Sequence, residues 1–320
     1  MHIDGYIVLA GVIVGFAVGL TGMGGGALMT PVLVLLLGVQ PGAAVSSDLV
    51  ASVFMKPVGS LVHLRRRTVN LRLVAWLAAG SVPAAFLGAW ILNEVASGKA
   101  LQSDIKMALG WALTLAVAGV ALKIWFDRRG KATGETPDED APFTVRPLPT
   151  LAIGAFGGLI VGMTSVGSGS LMIVALMFLY PRLSTRRLVG NDLVQSVPLV
   201  CSAALGQAMF GHVSMAVTTS LLIGSLPAVY AGSRVSATAS TTALRPVIAV
   251  ILLVSGLKLL GVGTTALGVV LGAAVVVGAG YIALRRTAGV RRTLGDAAPP
   301  PRAVAPLPVT TATTPEYVSS

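Results

Sequence analysis

The chain has 320 residues, of which 54% are hydrophobic and only 11% charged, against roughly a quarter charged in a soluble domain. That excludes a disordered chain, a collagen and a nucleic-acid-binding domain, and leaves an all-α polytopic membrane protein. The formal net charge of +11 then belongs to loops at the membrane surface.

In chain order, apolar runs predict spans near 6–22, 27–37, 43–63, 72–92, 107–126, 148–166, 170–180, 188–210, 215–233, 246–260 and 266–284. A crossing takes about 20 residues, so 27–37 and 170–180 are too short. Each follows a Gly-rich break and reads as half a helix or one arm of a re-entrant hairpin. The expected total is about 8–11 transmembrane or half-membrane helices. The organisation is a first repeat over 1–126, a cytoplasmic linker over 127–147, a second repeat over 148–284 and a disordered cytoplasmic tail over 285–320.

Basic residues set the sidedness. Arg65, Arg66, Arg67 and Arg72 flank one loop, and Arg128, Arg129, Lys131 and Arg146 lie in the linker. Arg182, Arg186 and Arg187 form a third group, and Arg234 and Arg245 a fourth. Arg285, Arg286, Arg291, Arg292 and Arg302 follow the last span. If each short hairpin returns to its own side, all of these share one face and only Lys99 and Lys106 lie opposite. The basic face is cytoplasmic, which places the N-terminus outside and the C-terminus inside. Met1 to Gly5 lacks the basic start of a cleavable signal.

A duplication runs through the chain. Gly19-Leu20-Thr21-Gly22-Met23-Gly24-Gly25-Gly26-Ala27-Leu28-Met29 aligns with Gly162-Met163-Thr164-Ser165-Val166-Gly167-Ser168-Gly169-Ser170-Leu171-Met172, 143 residues later. After a one-residue insertion, Asp48-Leu49-Val50 matches Asp192-Leu193-Val194. Gly80-Ser81-Val82-Pro83 with Gly88 matches Gly224-Ser225-Leu226-Pro227 with Gly232. Three net crossings separate the two hairpins, so the repeats are inverted. That is the usual plan of a secondary transporter, with its site near the midplane where the repeats meet.

Broken backbone at membrane depth is tolerated only inside protein or beside a polar cavity. A half-helix starting after each break would aim free N–H groups at the gap and favour an anion. The candidate substrate-binding residues are Thr21, Gly22, Gly24, Gly25, Gly26 and Lys56 from the first repeat. The second repeat adds Thr164, Ser165, Gly167, Ser168, Gly169 and Ser170. Close packing of small residues is the better explanation of a lone break, but the duplication and the short half-span that follows favour a site. Asp48 and Asp192 are the only acids within spans and are repeat-equivalent. They read either as functional intramembrane acids or as span-end caps in contact with water. Snorkelling is the alternative reading of Lys56, weakened by its mid-span position, and is the better reading of Lys258 near a span end. Two fixed negative charges beside an anion conflict, by several kcal/mol at close range and an effective dielectric near 20. Lys56 resolves this by pairing, or Asp48 and Asp192 carry a proton that moves with the anion. His63 reads as interfacial, His212 as a loop residue and Cys201 as a small packing residue. No metal site or cofactor is expected.

At Gly19 to Leu33 and its copy Gly162 to Val174, the chain resembles the sulfite exporter TauE/SafE family, also called the 4-toluene sulfonate uptake permease family. Ser46-Ser47-Asp48-Leu49 with Lys56 and His63, Gly190-Asn191-Asp192-Leu193, and the paired segments at 80–83 and 224–227 complete the resemblance. It implies a bacterial inner-membrane transporter or facilitator of small sulfur-containing or organic anions such as sulfite or sulfonates. The expected partners are that anion and the lipid bilayer, with no nucleic acid and a homodimer as one assembly option. An anion channel is the nearest alternative, though neither a carbonyl selectivity filter nor a charged ring is evident. An intramembrane enzyme would need a nucleophile–base–orienter set, which the sequence does not offer.

Overall fold

Lipid removes the driving force that buries apolar side chains in water, so membrane helices associate through close packing and internal hydrogen bonds. The computed structural model describes residues 3–21, 25–65, 69–95, 99–133, 144–169, 171–181, 183, 185–211, 213–236, 244–269 and 271–272. All packing below lies within one compact unit, Met1–Leu271. The expected tail, most of the 266–284 span, His2 and His212 lie outside the described residues, as does the side chain of His63.

The described elements are all helical. They are α1 (Gly5–Thr21), α2 (Gly26–Leu35), α3 (Pro41–Arg65), α4 (Leu71–Val95) and α5 (Lys99–Thr133), followed by α6 (Pro147–Thr164), α7 (Leu171–Leu179), α8 (Thr185–Phe210), α9 (Met215–Ser236) and α10 (Leu244–Leu259). Proline opens α3 and α6, where its missing N–H costs no helical bond. α2 has ten residues and α7 nine. At 1.5 Å per residue they are about 15 and 14 Å long, half of a hydrocarbon core of roughly 30 Å. The expectation of half-helices after the breaks therefore holds. α5 runs to Thr133 and so carries helix into the stretch expected to begin the linker.

Among the described residues, five helices are long and apolar enough to cross a bilayer: Leu71–Glu94, Ser103–Leu122, Pro147–Thr164, Arg187–Phe210 and Met215–Val235. At most 50% of each apolar window is buried within the protein. The remainder, including Trp111, Phe156 and Leu205, faces outward, as lipid requires and water would penalise. α3 is long enough but less apolar, because Asp48, Ser52, Lys56 and Ser60 recur at four-residue spacing along one face. All four are buried, so this polar stripe faces other helices. Cys201 departs from expectation: it lies on the exposed face of α8 rather than in the packing.

The repeats interlock reciprocally. α4 packs on α6 and α1 on α9, so the first helix of each repeat lies against the fourth of the other. Glycines set both interfaces. Gly80 and Gly88 face the carbonyls of Leu151 and Leu159, while Gly154, Gly158 and Gly162 face those of Leu77, Ser81 and Ala85. On the other side Gly224 and Gly232 face the carbonyls of Val8 and Phe16, and Gly11, Gly15 and Gly19 those of Leu221, Ser225 and Val229. Each contact in one interface has its counterpart 143 or 144 residues away in the other. Gly110 and Gly256 in turn face each other's carbonyls across α5 and α10, at 3.1 and 3.2 Å from an added Cβ. α3 and α8, themselves equivalent, meet in the centre.

A methyl group at these crossings would overlap backbone, which cannot move aside as a side chain can. Gly80→Ala, Gly158→Ala and Gly224→Ala should each lower the thermal stability of the detergent-solubilised protein, by an overpacking cost of about 1–3 kcal/mol or more. Gly42→Ala, whose added Cβ would meet only the Ile105 side chain at 3.5 Å, should leave the melting temperature unchanged.

Candidate functional site

The two Gly-rich breaks meet. At the first, a Cβ on Gly25 would stand 3.0 Å from Met55 Cε, 3.7 Å from Asp48 Oδ1 and 3.8 Å from Ser52 Oγ. A Cβ on Gly26 would overlap the carbonyl of Ser165 in the second break. The start of α2 thus touches both α3 and the opposite repeat, a closeness that only glycine permits. Gly22, Gly24 and Ser170 lie outside the described residues, as does the side chain of Thr21.

The second break is built from residues with positive φ. α6 ends at Thr164, and Ser165 caps it at φ 59°, ψ −4°, its N–H bonding Val161 O at 2.7 Å. Gly167 and Gly169 follow at φ 114° and 105° before α7 begins. A non-glycine residue in the left-handed region costs of order 1–3 kcal/mol and persists only where its surroundings hold it. Ser165 is held: its hydroxyl donates to Asp48 Oδ2 at 2.6 Å, across the repeat boundary. Three residues on, Ser168 Oγ accepts from Lys56 Nζ at 2.6 Å. The charged pair on α3 is therefore met by the two serines of the opposite break. Thr164 behaves differently, because its hydroxyl bonds Ile160 O and the Val166 N–H of its own chain segment.

Asp48 is fully buried, seven residues into α3, and Asp192 equally deep in α8. Both carboxylates are thus shielded from water within the fold. Asp48 Oδ2 also accepts from Thr30 Oγ1 at 3.1 Å. Asp192 accepts from Gln195 Nε2 at 3.3 Å, and Gln195 Oε1 accepts from Ser81 Oγ at 3.0 Å. Both carboxylates act electrostatically on the buried Lys56 ammonium. An isolated buried charge costs several kcal/mol, so one cation between two acids is what keeps the seam tolerable.

Further polar bonds tie the repeats along the same seam. Ser60 Oγ on α3 donates to Leu193 O on α8 at 2.8 Å. Gln207 accepts from Ser46 and Asn93 and donates to Gly162 O, at 3.0, 3.1 and 3.2 Å, joining α3, α4 and α6 to α8. Thr30, Gln195 and Gln207 were not singled out from sequence. The signal was nevertheless present, since each is a polar residue inside an apolar run, the same criterion that selected Asp48 and Lys56. No group of three or more His, Cys, Asp or Glu converges among the described residues, and the seam presents ammonium, carboxylate, hydroxyl and carboxamide groups.

Comparison with known proteins follows the same span of chain. A family model described as sulfite exporter TauE/SafE matches residues 7–259. The probable membrane transporter protein YjnA of Bacillus subtilis (strain 168) is 39% identical over 255 residues, covering 79% of this chain and 98% of its own length. A probable membrane transporter protein of Xylella fastidiosa (strain 9a5c) is 26% identical over 218 residues, 68% of this chain and 78% of its own. The probable membrane transporter protein YunE of Bacillus subtilis (strain 168) is 23% identical over 267 residues, 79% of this chain and 96% of its own. No solved structure gives a significant match.

If the Ser165–Asp48 bond holds the breaks together, the two residues must be energetically coupled. A double-mutant cycle of Ser165→Ala and Asp48→Asn, measured by denaturant unfolding in detergent, should show an interaction of about 1–3 kcal/mol. Ser165→Ala paired with Asp192→Asn should be additive within about 0.5 kcal/mol.

Proposed function

Because the chain belongs to the sulfite exporter TauE/SafE family, we propose that this membrane transporter is a secondary carrier of small sulfur-containing or organic anions such as sulfite or sulfonates. The site is the seam where the two breaks meet α3 and α8. What supports this most is the Lys56–Ser168 contact: a buried ammonium on one repeat faces a hydroxyl on the break of the other. An ammonium has three donors. A hydroxyl is a modest partner that an oxyanion can replace, and doing so would loosen one tie between the repeats. Substrate binding and relative motion of the repeats are thereby linked, as alternating access requires.

Charge balance supports proton coupling. Lys56 offsets one of the two carboxylates, so a fully ionised substrate would add to a net negative seam, at several kcal/mol for close charges. We assign Asp48 and Asp192 as the groups that answer the proton, with the N-terminus outside the bacterial inner membrane and the C-terminus in the cytoplasm.

Proteoliposomes containing the purified protein, screened with sulfite, thiosulfate, sulfonates and carboxylates, test the assignment. Saturable uptake is expected for at least one sulfur oxyanion, and Lys56→Ala should weaken half-saturation tenfold or more. Flux that never saturates would instead indicate a channel. A protein carrying both Asp48→Asn and Asp192→Asn should still exchange anions across the membrane but no longer accumulate them along a proton gradient. Wild-type proton dependence in that variant would make the aspartates structural.

A further inference from the structure

Three buried side-chain oxygens have no hydrogen-bond partner among the described residues: Ser47 Oγ, Asp48 Oδ1 and Ser225 Oγ. Buried polar atoms are nearly always paired, so each calls for an explanation. The duplication supplies a comparison inside the same molecule. At the offset of 144, Ser47 corresponds to Asn191, Asp48 to Asp192 and Ser225 to Ser81. All three counterparts are satisfied. Asn191 Oδ1 accepts the Asn70 N–H at 2.7 Å, and its Nδ2 donates to Arg187 O at 2.8 Å. Gln195 spans the other two, accepting from Ser81 and donating to Asp192. The residue equivalent to Gln195 is Ala51. The second half of the seam is thus closed by a carboxamide, and in the first half that carboxamide is replaced by a methyl group. α3 packs against α9 there, as α8 packs against α4 in the closed half.

The same half holds Lys56, whose repeat counterpart is Val200. The unpaired acceptor, the unpaired hydroxyls and the ammonium therefore all lie in the half of the seam built from α3 and α9. Given anion transport through this seam, the geometry points to a ligand site between Asp48 Oδ1 and Ser225 Oγ for a small oxyanion that brings its own O–H. Such a ligand reproduces both ends of the Gln195 amide. Its O–H donates to Asp48 Oδ1, an oxygen accepts from Ser225, and its charge is offset by Lys56. An anion of the same charge without an O–H would bring an acceptor against a carboxylate, two anions with no proton between them. The repeat-equivalent acids then differ in what they meet: Asp48 receives the ligand, and Asp192 is bonded to Gln195.

The test is calorimetric titration of the full chain in detergent or nanodiscs, at one mildly acidic pH. The ligands are hydrogen sulfite and methanesulfonate, which carry the same charge, one with and one without an O–H. Hydrogen sulfite should bind at least tenfold more tightly to the wild type. In Asp48→Asn the ratio should fall toward one, because an amide can present either a donor or an acceptor. Ser225→Ala should weaken hydrogen sulfite several-fold. Ala51→Gln rebuilds the closed half, and should lose hydrogen sulfite binding without a lower melting temperature. Equal wild-type affinities, or a ratio unchanged in Asp48→Asn, overturn the proposal whether or not Ala51→Gln folds. Lys56-dependent binding of both anions with no preference for the O–H would sink this inference alone, whereas absence of binding by any anion would sink the transport assignment with it.

Discussion

Backbone-on-backbone contact between helices of opposite repeats is the constraint from which the rest of the molecule follows. Between lipid-embedded helices apolar side chains gain nothing over lipid tails, so contact must come from close approach and polar bonds. The glycine rows of α1, α4, α6 and α9 let the carbonyls of one repeat rest on the Cα atoms of the other. With the first helix of each repeat clamped to the fourth of its partner, α3 and α8 pack against each other along their polar faces. The two breaks, which follow α1 and α6 directly, are brought face to face. The overlap that a Cβ on Gly26 would make with Ser165 is the innermost case of the same contact.

Enclosure explains how charges survive at membrane depth. A carboxylate facing lipid would be expelled or neutralised, whereas Asp48 is surrounded by hydroxyls from α2 and from the opposite break. The choice of hydroxyls matters energetically. A hydrogen bond to a charged group contributes about 1.5–3 kcal/mol net, and a neutral one about 0.5–1.5 kcal/mol. Bonds of that size hold a resting arrangement and can still be exchanged for an incoming ligand. A fully desolvated second ion pair would be harder to open, since breaking one leaves an uncompensated charge worth about 3–5 kcal/mol.

The two repeats share a backbone plan and have parted company in side chains. Their glycines, carbonyl contacts and break positions correspond almost residue by residue, since these carry the packing. Along the central seam the correspondence breaks at Ala51 against Gln195 and at Lys56 against Val200. A symmetric seam would hold either two lysines and no bridging carboxamide or two carboxamides and no lysine, and neither gives one cation among unpaired acceptors.

The helical membrane class, the half-helices, the inverted duplication and, among the described residues, five of the spans were legible in the sequence alone. Each rests on a periodic or local property: apolar run length, the Gly-rich interruptions, and matched residues at a constant offset. Asp48, Lys56, Ser165 and Ser168 stood out for the same local reason, as polar or helix-breaking residues in apolar surroundings. Their pairing was not legible, because Ser165 lies 117 residues from Asp48, and Ser168 112 from Lys56. Only the interlocking of the repeats brings them within 2.6 Å. The tertiary structure also decided that Thr164 is used up by its own helix end, that Cys201 faces outward, and that two aspartates equal in sequence are unequal in surroundings. Charge and polarity belong to a residue, but satisfaction of a buried polar atom belongs to its neighbours, and those are chosen by the fold.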